Sequence, residues 1–318
     1  MRPSGKLHLG HLFGALSNWA ALQDEYECYY MVADWHALTT DYADTSKIQE
    51  NIREMVIDWL LAGLDPKKSV IFTQSEIMEH SELFMLLSMI TPLGWLFRCP
   101  TYKEQLTEIK DKDLHNYGFL GYPVLQAADI MIYKADAVPV GEDQLPHLEL
   151  TREICRRFNN LYGEIFPEPQ ALLTKSARVP GIDGKKMSKS YGNAITLAEP
   201  PDSLKKKIQQ MFTDPQKIRA NDIGHPEGCV VFAFHALYNK ASKSRETECR
   251  EGKIGCVKCK QELYDLINAS LDPLREEREK IAKDGAYIND ILEEGRKKAK
   301  DFAVKTMLET RQAVLRKK

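Results

Sequence analysis

Residues 28–38, CYYMVADWHAL, decide the fold together with the two segments that follow them. The run is apolar and aromatic without alternation and ends in polar residues, which suits a strand buried in a parallel sheet. From Asp44 to Gly63 the period changes. Ile48, Ile52, Met55, Val56, Trp59 and Leu60 recur at steps of three and four, Asp44 or Thr45 can cap the start, and Gly63 can close the end. SVIFTQS (69–75) then reads as a second strand. Strand, crossover helix and strand imply parallel pairing with a right-handed connection.

Working outward, residues 77–120 break this rhythm. They read as a mostly helical insertion with a Pro- and Gly-punctuated middle, TPLGWLFRCPTYKE, apolar enough for a subunit interface. The α/β pattern resumes at 125–158 as a helix, the short strand AVPV and a long amphipathic helix. Beyond KKMSKSYGN nearly everything has helical periodicity. The expected fold class is therefore α/β, a Rossmann-like doubly wound parallel sheet with a helical insertion, plus an all-α C-terminal domain. The expected boundaries are 1–190, with the insertion at about 77–120, and 195–318.

The chain has 318 residues, 43% apolar and 28% charged, within the ordinary range for globular proteins of two or three domains. It contains no run of eighteen apolar residues and no charged-then-apolar leader, so a cytoplasmic enzyme is expected, without a membrane partner. The net charge of −2 hides an asymmetry. Residues 1–239 carry 24 Lys+Arg against 31 Asp+Glu, and residues 240–318 carry 20 against 15. A basic final quarter is compatible with a polyanionic partner and equally with a solvated helical surface.

Two short strings carry candidate chemistry. KLHLGHL (6–12) places His8 and His11 one helical turn apart around Gly10; alone it could be a helix start or half of a metal site. GKKMSKS (184–190) is a Gly-introduced cationic segment suited to phosphate, though a lysine-rich surface turn looks the same. Together, in this order and at this separation, they resemble the two signatures of class I aminoacyl-tRNA synthetases. The pattern of ADWHALT (33–39), YPVLQAAD (122–129) and VPVGEDQLPHLELTRE (138–153) resembles the tryptophanyl-tRNA synthetase family, with the tyrosyl enzymes as nearest relatives.

That resemblance implies a tryptophan–tRNA ligase that uses ATP with Mg²⁺ to activate L-tryptophan and charges tRNA(Trp), working as a homodimer. His8, His11, Lys186, Ser188 and Lys189 would be catalytic. Arg2, Pro3, Ser4, Gly10, Gly141, Glu142, Asp143, Val179, Met187 and Ser190 would join them in lining the nucleotide site. Asp129 would accept the indole N–H, which can only donate. Tyr122 and Gln144 would hold the ammonium, His36 would lie near the carboxylate, and Gln126 would form pocket wall. The rivals are a tyrosyl-type enzyme, a nucleotidyltransferase without tRNA, and a catalytically silent RNA-binding paralogue.

Four of the seven cysteines, Cys229, Cys249, Cys256 and Cys259, fall in one short region spaced C-x19-C-x6-C-x2-C. In a chain without an export signal such a cluster points to metal, zinc or a [4Fe–4S] cluster, and spacing does not separate the two. CREGKIGCVKC resembles the iron–sulfur subgroup of the same family, which favours [4Fe–4S] with Zn²⁺ second. Arg250, Lys253, Lys258 and Lys260 nearby would face the tRNA backbone. The resemblance also implies a short strand before the Pro3-Ser4-Gly5 turn. This sequence has only Met1-Arg2 there, so either a later-than-true start or an unpaired sheet edge beside His8 is expected.

Overall fold

The computed structural model describes residues 1–108, 112–173, 179–189 and 191–315. After α1 (Leu9–His11), a π-helical stretch Leu12–Leu16 leads into α2 (Ser17–Leu22). Then come β1 (Cys28–Val32), α3 (Asp34–Asp41), α4 (Ile48–Leu61) and β2 (Ser69–Thr73). The first strand is shorter than its apolar run suggests. It ends at Val32 because Asp34 opens α3, its carboxylate accepting the main-chain N–H groups of Trp35 and Ser75 at 3.0 Å each. The crossover helix falls where its period places it, and Gly63, at φ +99°, turns the chain out of it.

The insertion is helical as expected, with α5 (Glu79–Ile90), α6 (Leu93–Arg98) and α7 (Pro100–Glu108). The α/β body resumes with α8 (Tyr117–Met131), β3 (Ala137–Val140), α9 (Leu145–Tyr162) and β4 (Gln170–Leu173). The helical region comprises α10 (Pro201–Gln210), α11 (Val230–Tyr238), α12 (Ser242–Arg250), α13 (Cys256–Lys283) and α14 (Gly285–Val314). Among the described residues no helix is long and apolar enough to cross a membrane.

Among the described residues both strand ladders are parallel. β1 lies beside β2 with Cys28 opposite Ser69 and Val32 opposite Thr73, and β3 lies beside β4 with Ala137 opposite Gln170. Among the described residues these are two separate two-stranded ladders rather than one continuous sheet. At the expected unpaired edge, the Met1 amino group donates to Met31 O at 2.7 Å, and Ala33 N–H donates to Met1 O at 2.9 Å. Those two bonds flank Val32 as a parallel neighbour's would.

Every residue of β2 is buried, and its pleat divides two cores. Val70 and Phe72 join Leu83, Leu87, Ala128, Ile154 and Phe158, whereas Ile71 joins Tyr30, Val32, Met55 and Trp59. Fully buried side chains such as Phe72 and Trp59 contribute about 1.5–3 kcal/mol each through removal from water. Both cores also take residues from α14: Ala299, Ala303 and Met307 in the first, Ile288 and Ile291 in the second. This last helix crosses β2 at Gly295, where a Cβ would stand 1.8 Å from Ile71 O. Only glycine permits that approach, so burial joins the final helix to the α/β body. A third core fills α10, α11 and α13, and takes in Leu9, Val179 and Met187 from the segments that carry the candidate site.

Candidate active site

Two short antiparallel pairings bring the candidate nucleotide segments together. Leu9 N–H donates to Ile195 O at 2.9 Å, Leu197 N–H donates to Leu7 O at 3.2 Å, and His8 bridges Thr196 between them. His8 caps α1, and its main-chain N–H donates to His11 Nδ1 at 3.2 Å, with the ring centroids 3.8 Å apart. Burial first, and the Lys189 charge second, lower His8 to about 4. Burial, His8 and Lys189 lower His11 to about 3. Both rings are therefore neutral at pH 7, each with one N–H to donate. Among the described residues, His8 Nδ1 is buried without a partner. A Cβ at Gly10 would stand 3.0 Å from the His8 ring, so the glycine makes room for that imidazole.

The lysine-rich segment closes on this turn through one lysine. Lys189 Nζ donates to Ser4 O at 2.6 Å and to Ser4 Oγ at 3.2 Å, and burial lowers its pKa. Asn193 organises the loop, accepting from Ser188 N–H at 2.8 Å and donating to Asp183 at 2.8 Å and to Lys186 O at 3.1 Å. The sequence treats Lys186 and Lys189 alike, but the structure does not: Lys186 is exposed, its main chain paired with Pro180. Met187 and Val179 are buried beside Leu9. Ser190 lies outside the described residues. Arg2 is exposed and Pro3 buried on the same turn as Ser4. Gly141, Glu142 and Asp143 lead from β3 into α9, with both acids exposed.

The residues expected at the amino-acid end lie on α8, where Tyr122, Gln126 and Asp129 occupy positions i, i+4 and i+7 of one face. The Asp129 side chain is 8% exposed and has three partners. Its Oδ2 lies 2.8 Å from His36 Nε2, its Oδ1 lies 2.7 Å from His80 Nδ1, and Gln74 Nε2 donates to both oxygens at 2.8 and 3.0 Å. Burial alone would raise this carboxyl. The His36 and His80 hydrogen bonds outweigh it and hold the group at about 2, so Asp129 is a buried anion. His80 Nε2 lies 2.8 Å from Tyr133 Oη, which extends the network outward.

His36, expected near the substrate carboxylate, directs its Nε2 at Asp129. Tyr122 and Gln144 are not brought together by direct bonds. Tyr122 Oη lies 3.2 Å from His147 Nε2, and burial pushes its pKa up to about 12. Gln144 Nε2 donates to Asp143 Oδ2 at 3.0 Å. Gln126 is half-buried. Sequence reasoning missed Gln74 and His80. Gln74 stands just past the C-terminal end of β2, where open α/β sheets bind ligands, and that position could have flagged it. His80, on the inserted helix α5, carries no such signal.

All seven cysteines are free thiols. Cys229 starts α11, Cys249 ends α12, and Cys256 and Cys259 occupy the first turn of α13. The four line one recess with Asp214 and Lys217. Burial pushes Cys259 up to about 12 and raises Cys249 and Cys256, so without a bound cation these stay protonated. Among the described residues no three His, Cys, Asp or Glu side chains are arranged to hold a metal ion. Of the basic residues expected to face a polyanion, Lys260 is committed internally, donating to Gln209 O at 2.6 Å and Met211 O at 2.8 Å. Arg250 pairs with Glu227 and Glu246, and Lys258 remains exposed.

The His-x-x-His turn, Lys189 on the neighbouring Ser4 and the buried Asp129 carboxylate are thus all carried by the parallel α/β body. The family described as tRNA synthetases class I (W and Y) matches residues 1–272. The chain is 53% identical to the tryptophan–tRNA ligase of Thermotoga maritima, over 99% of this chain and 97% of that protein. It is 46% identical to that of Aquifex aeolicus, over 99% and 98%. The crystal structure of tryptophanyl-tRNA synthetase from Campylobacter jejuni complexed with ADP and tryptophan superposes with a TM-score of 0.90 at 34% identity, covering 99% and 98% of the two chains. The chain belongs to this family and, within it, to the tryptophan–tRNA ligases.

Proposed function

We propose that the protein activates L-tryptophan with ATP to give tryptophanyl-adenylate and pyrophosphate, and transfers the tryptophanyl group to the 3′-terminal adenosine of tRNA(Trp). The observation that carries this reading is the buried Asp129 anion, an acceptor placed for a side chain whose single polar handle donates. A tryptophan carboxylate oxygen attacks the α-phosphorus of ATP, which arrives with Mg²⁺ as substrate, and the bond to the bridging oxygen breaks as pyrophosphate leaves. His8 and His11 donate to phosphate oxygens as neutral rings, and Lys189 meets the charge that develops on pyrophosphate. Lys186 and Ser188 join it as the loop closes. Gly10, Gly141, Glu142, Asp143 and Val179 line the nucleoside end, and Tyr122 and Gln144 receive the ammonium. Charging purified tRNA(Trp) with labelled tryptophan tests this; adenylate formation without charging would favour a nucleotidyltransferase.

Residues 1–190 supply the catalytic part in this reading, and 195–318 the part that meets the anticodon. A homodimer is supported by the exposed apolar stripe Met78, Met85, Met89, Leu93 and Phe97 on α5 and α6. The four thiols of Cys229, Cys249, Cys256 and Cys259 support a [4Fe–4S] cluster. All four line one recess. Bound there, the cluster would staple α11, α12 and α13. Protein purified anaerobically should show broad visible absorption with iron and sulfide in equal amounts; colourless protein with stoichiometric zinc overturns this assignment.

A further inference from the structure

Asp58 is a buried charge, and Arg278 a partly buried one, that no step above uses. Asp58, on α4, is 1% exposed, and its Oδ2 accepts the Leu7 main-chain N–H at 2.5 Å, one residue before His8. Its other oxygen pairs with Arg278 of α13, which also pairs with Glu54 of α4. Burial pushes the Asp58 carboxyl up to about 6 even with this guanidinium beside it, so Arg278 is what keeps the acceptor ionised. One turn earlier on α13, Arg275 Nε donates to Glu199 O at 2.6 Å. Glu199 Oε2 in turn accepts the Thr196 N–H at 2.9 Å, and Thr196 is the residue bridged to His8. One helix thus holds the His8 turn from both flanks. The same helix begins at Cys256, about 33 Å from Arg278 along its axis, with Cys259 about 29 Å away.

We propose that Arg278, acting through Asp58, is a positioning residue for amino-acid activation: it fixes the Leu7–His8 main chain and couples the helical region to the nucleotide site. The proposal rests on the reading of His8 and His11 as phosphate donors. It touches neither Asp129 nor α8, so its signature is a loss of rate without a loss of tryptophan binding.

The test is tryptophan-dependent ATP–pyrophosphate exchange by the full-length protein. Arg278→Met should lower kcat by about 10- to 100-fold, as a displaced reacting group does, while KM for tryptophan stays within about twofold. Arg278→Lys, which keeps the charge but not the fork, should recover part of that loss. Adding Asp58→Asn to Arg278→Met should raise activity above that of Arg278→Met alone, because asparagine still accepts the Leu7 N–H and needs no cation. A wild-type kcat in Arg278→Met, or a matching rise in tryptophan KM, overturns the proposal. Should Arg278→Met fail to fold, a wild-type kcat in Arg278→Lys overturns it equally, because the proposal requires the guanidinium fork and not the charge alone. Absence of exchange in the unaltered protein would overturn the functional reading and the proposal with it, whereas exchange there and in Arg278→Met alike overturns the proposal alone.

Discussion

Asp129→Ala should lower kcat/KM for tryptophan by about a thousandfold or more and leave KM for ATP within about threefold. The wild-type carboxylate is anionic and 8% exposed, and in the proposed reading the indole N–H would join the donors already gathered on it. Each hydrogen bond to a buried charged group contributes about 1.5–3 kcal/mol, and a buried donor left without its acceptor costs about 1–3 kcal/mol more. Alanine would strand Gln74, His36 and His80 at once. Pockets that read a single polar handle are selective because a mismatched ligand leaves such groups unpaired. The nucleotide turn is built on other elements, so its affinity should hold. Circular dichroism separates a lost pocket from a lost fold. Comparable losses in tryptophan and ATP parameters would refute the assignment of Asp129.

The second large effect belongs to Lys189. Lys189→Ala should reduce kcat for ATP–pyrophosphate exchange by about 100- to 1000-fold, or about 2.7–4 kcal/mol, the usual loss on removing one preorganised group that meets transition-state charge. KM for tryptophan should not change. Lys189 already sits against Ser4, close enough to His8 and His11 to depress both rings. Lys186→Ala should cost less, because the exposed Lys186 is not held at the turn. A rise in KM for ATP with kcat intact in Lys189→Ala would assign the lysine to uniform binding instead.

Local periodicity was enough to find β1, the crossover helix and β2, because burial on both faces of a parallel pair leaves an unbroken apolar run. Asp129 was legible for a related reason: an acid among Ala127, Ala128, Ile130 and Ile132 has no solvated face to occupy. Features set by distant approach were not legible. Gly295 meeting the Ile71 carbonyl reads as an ordinary helix glycine until α14 is seen across β2. Its consequence, a final helix packed into the α/β cores, is invisible to a division of the chain by composition. His80 reaches Asp129 from the inserted helix and displaces nothing in the local pattern. Lys260 looks like any other lysine of a basic quarter, yet it caps the end of α10. The separation of the two ladders and the late strand β4 likewise depend on where segments meet, which a run of four residues does not encode.

ATP–pyrophosphate exchange run with tryptophan and tyrosine side by side tests the central claim most directly. The buried anion with His36, His80 and Gln74 around it predicts exchange with tryptophan, and a kcat/KM for tyrosine lower by at least about a thousandfold. Equal use of the two amino acids, or exchange with neither, would contradict it.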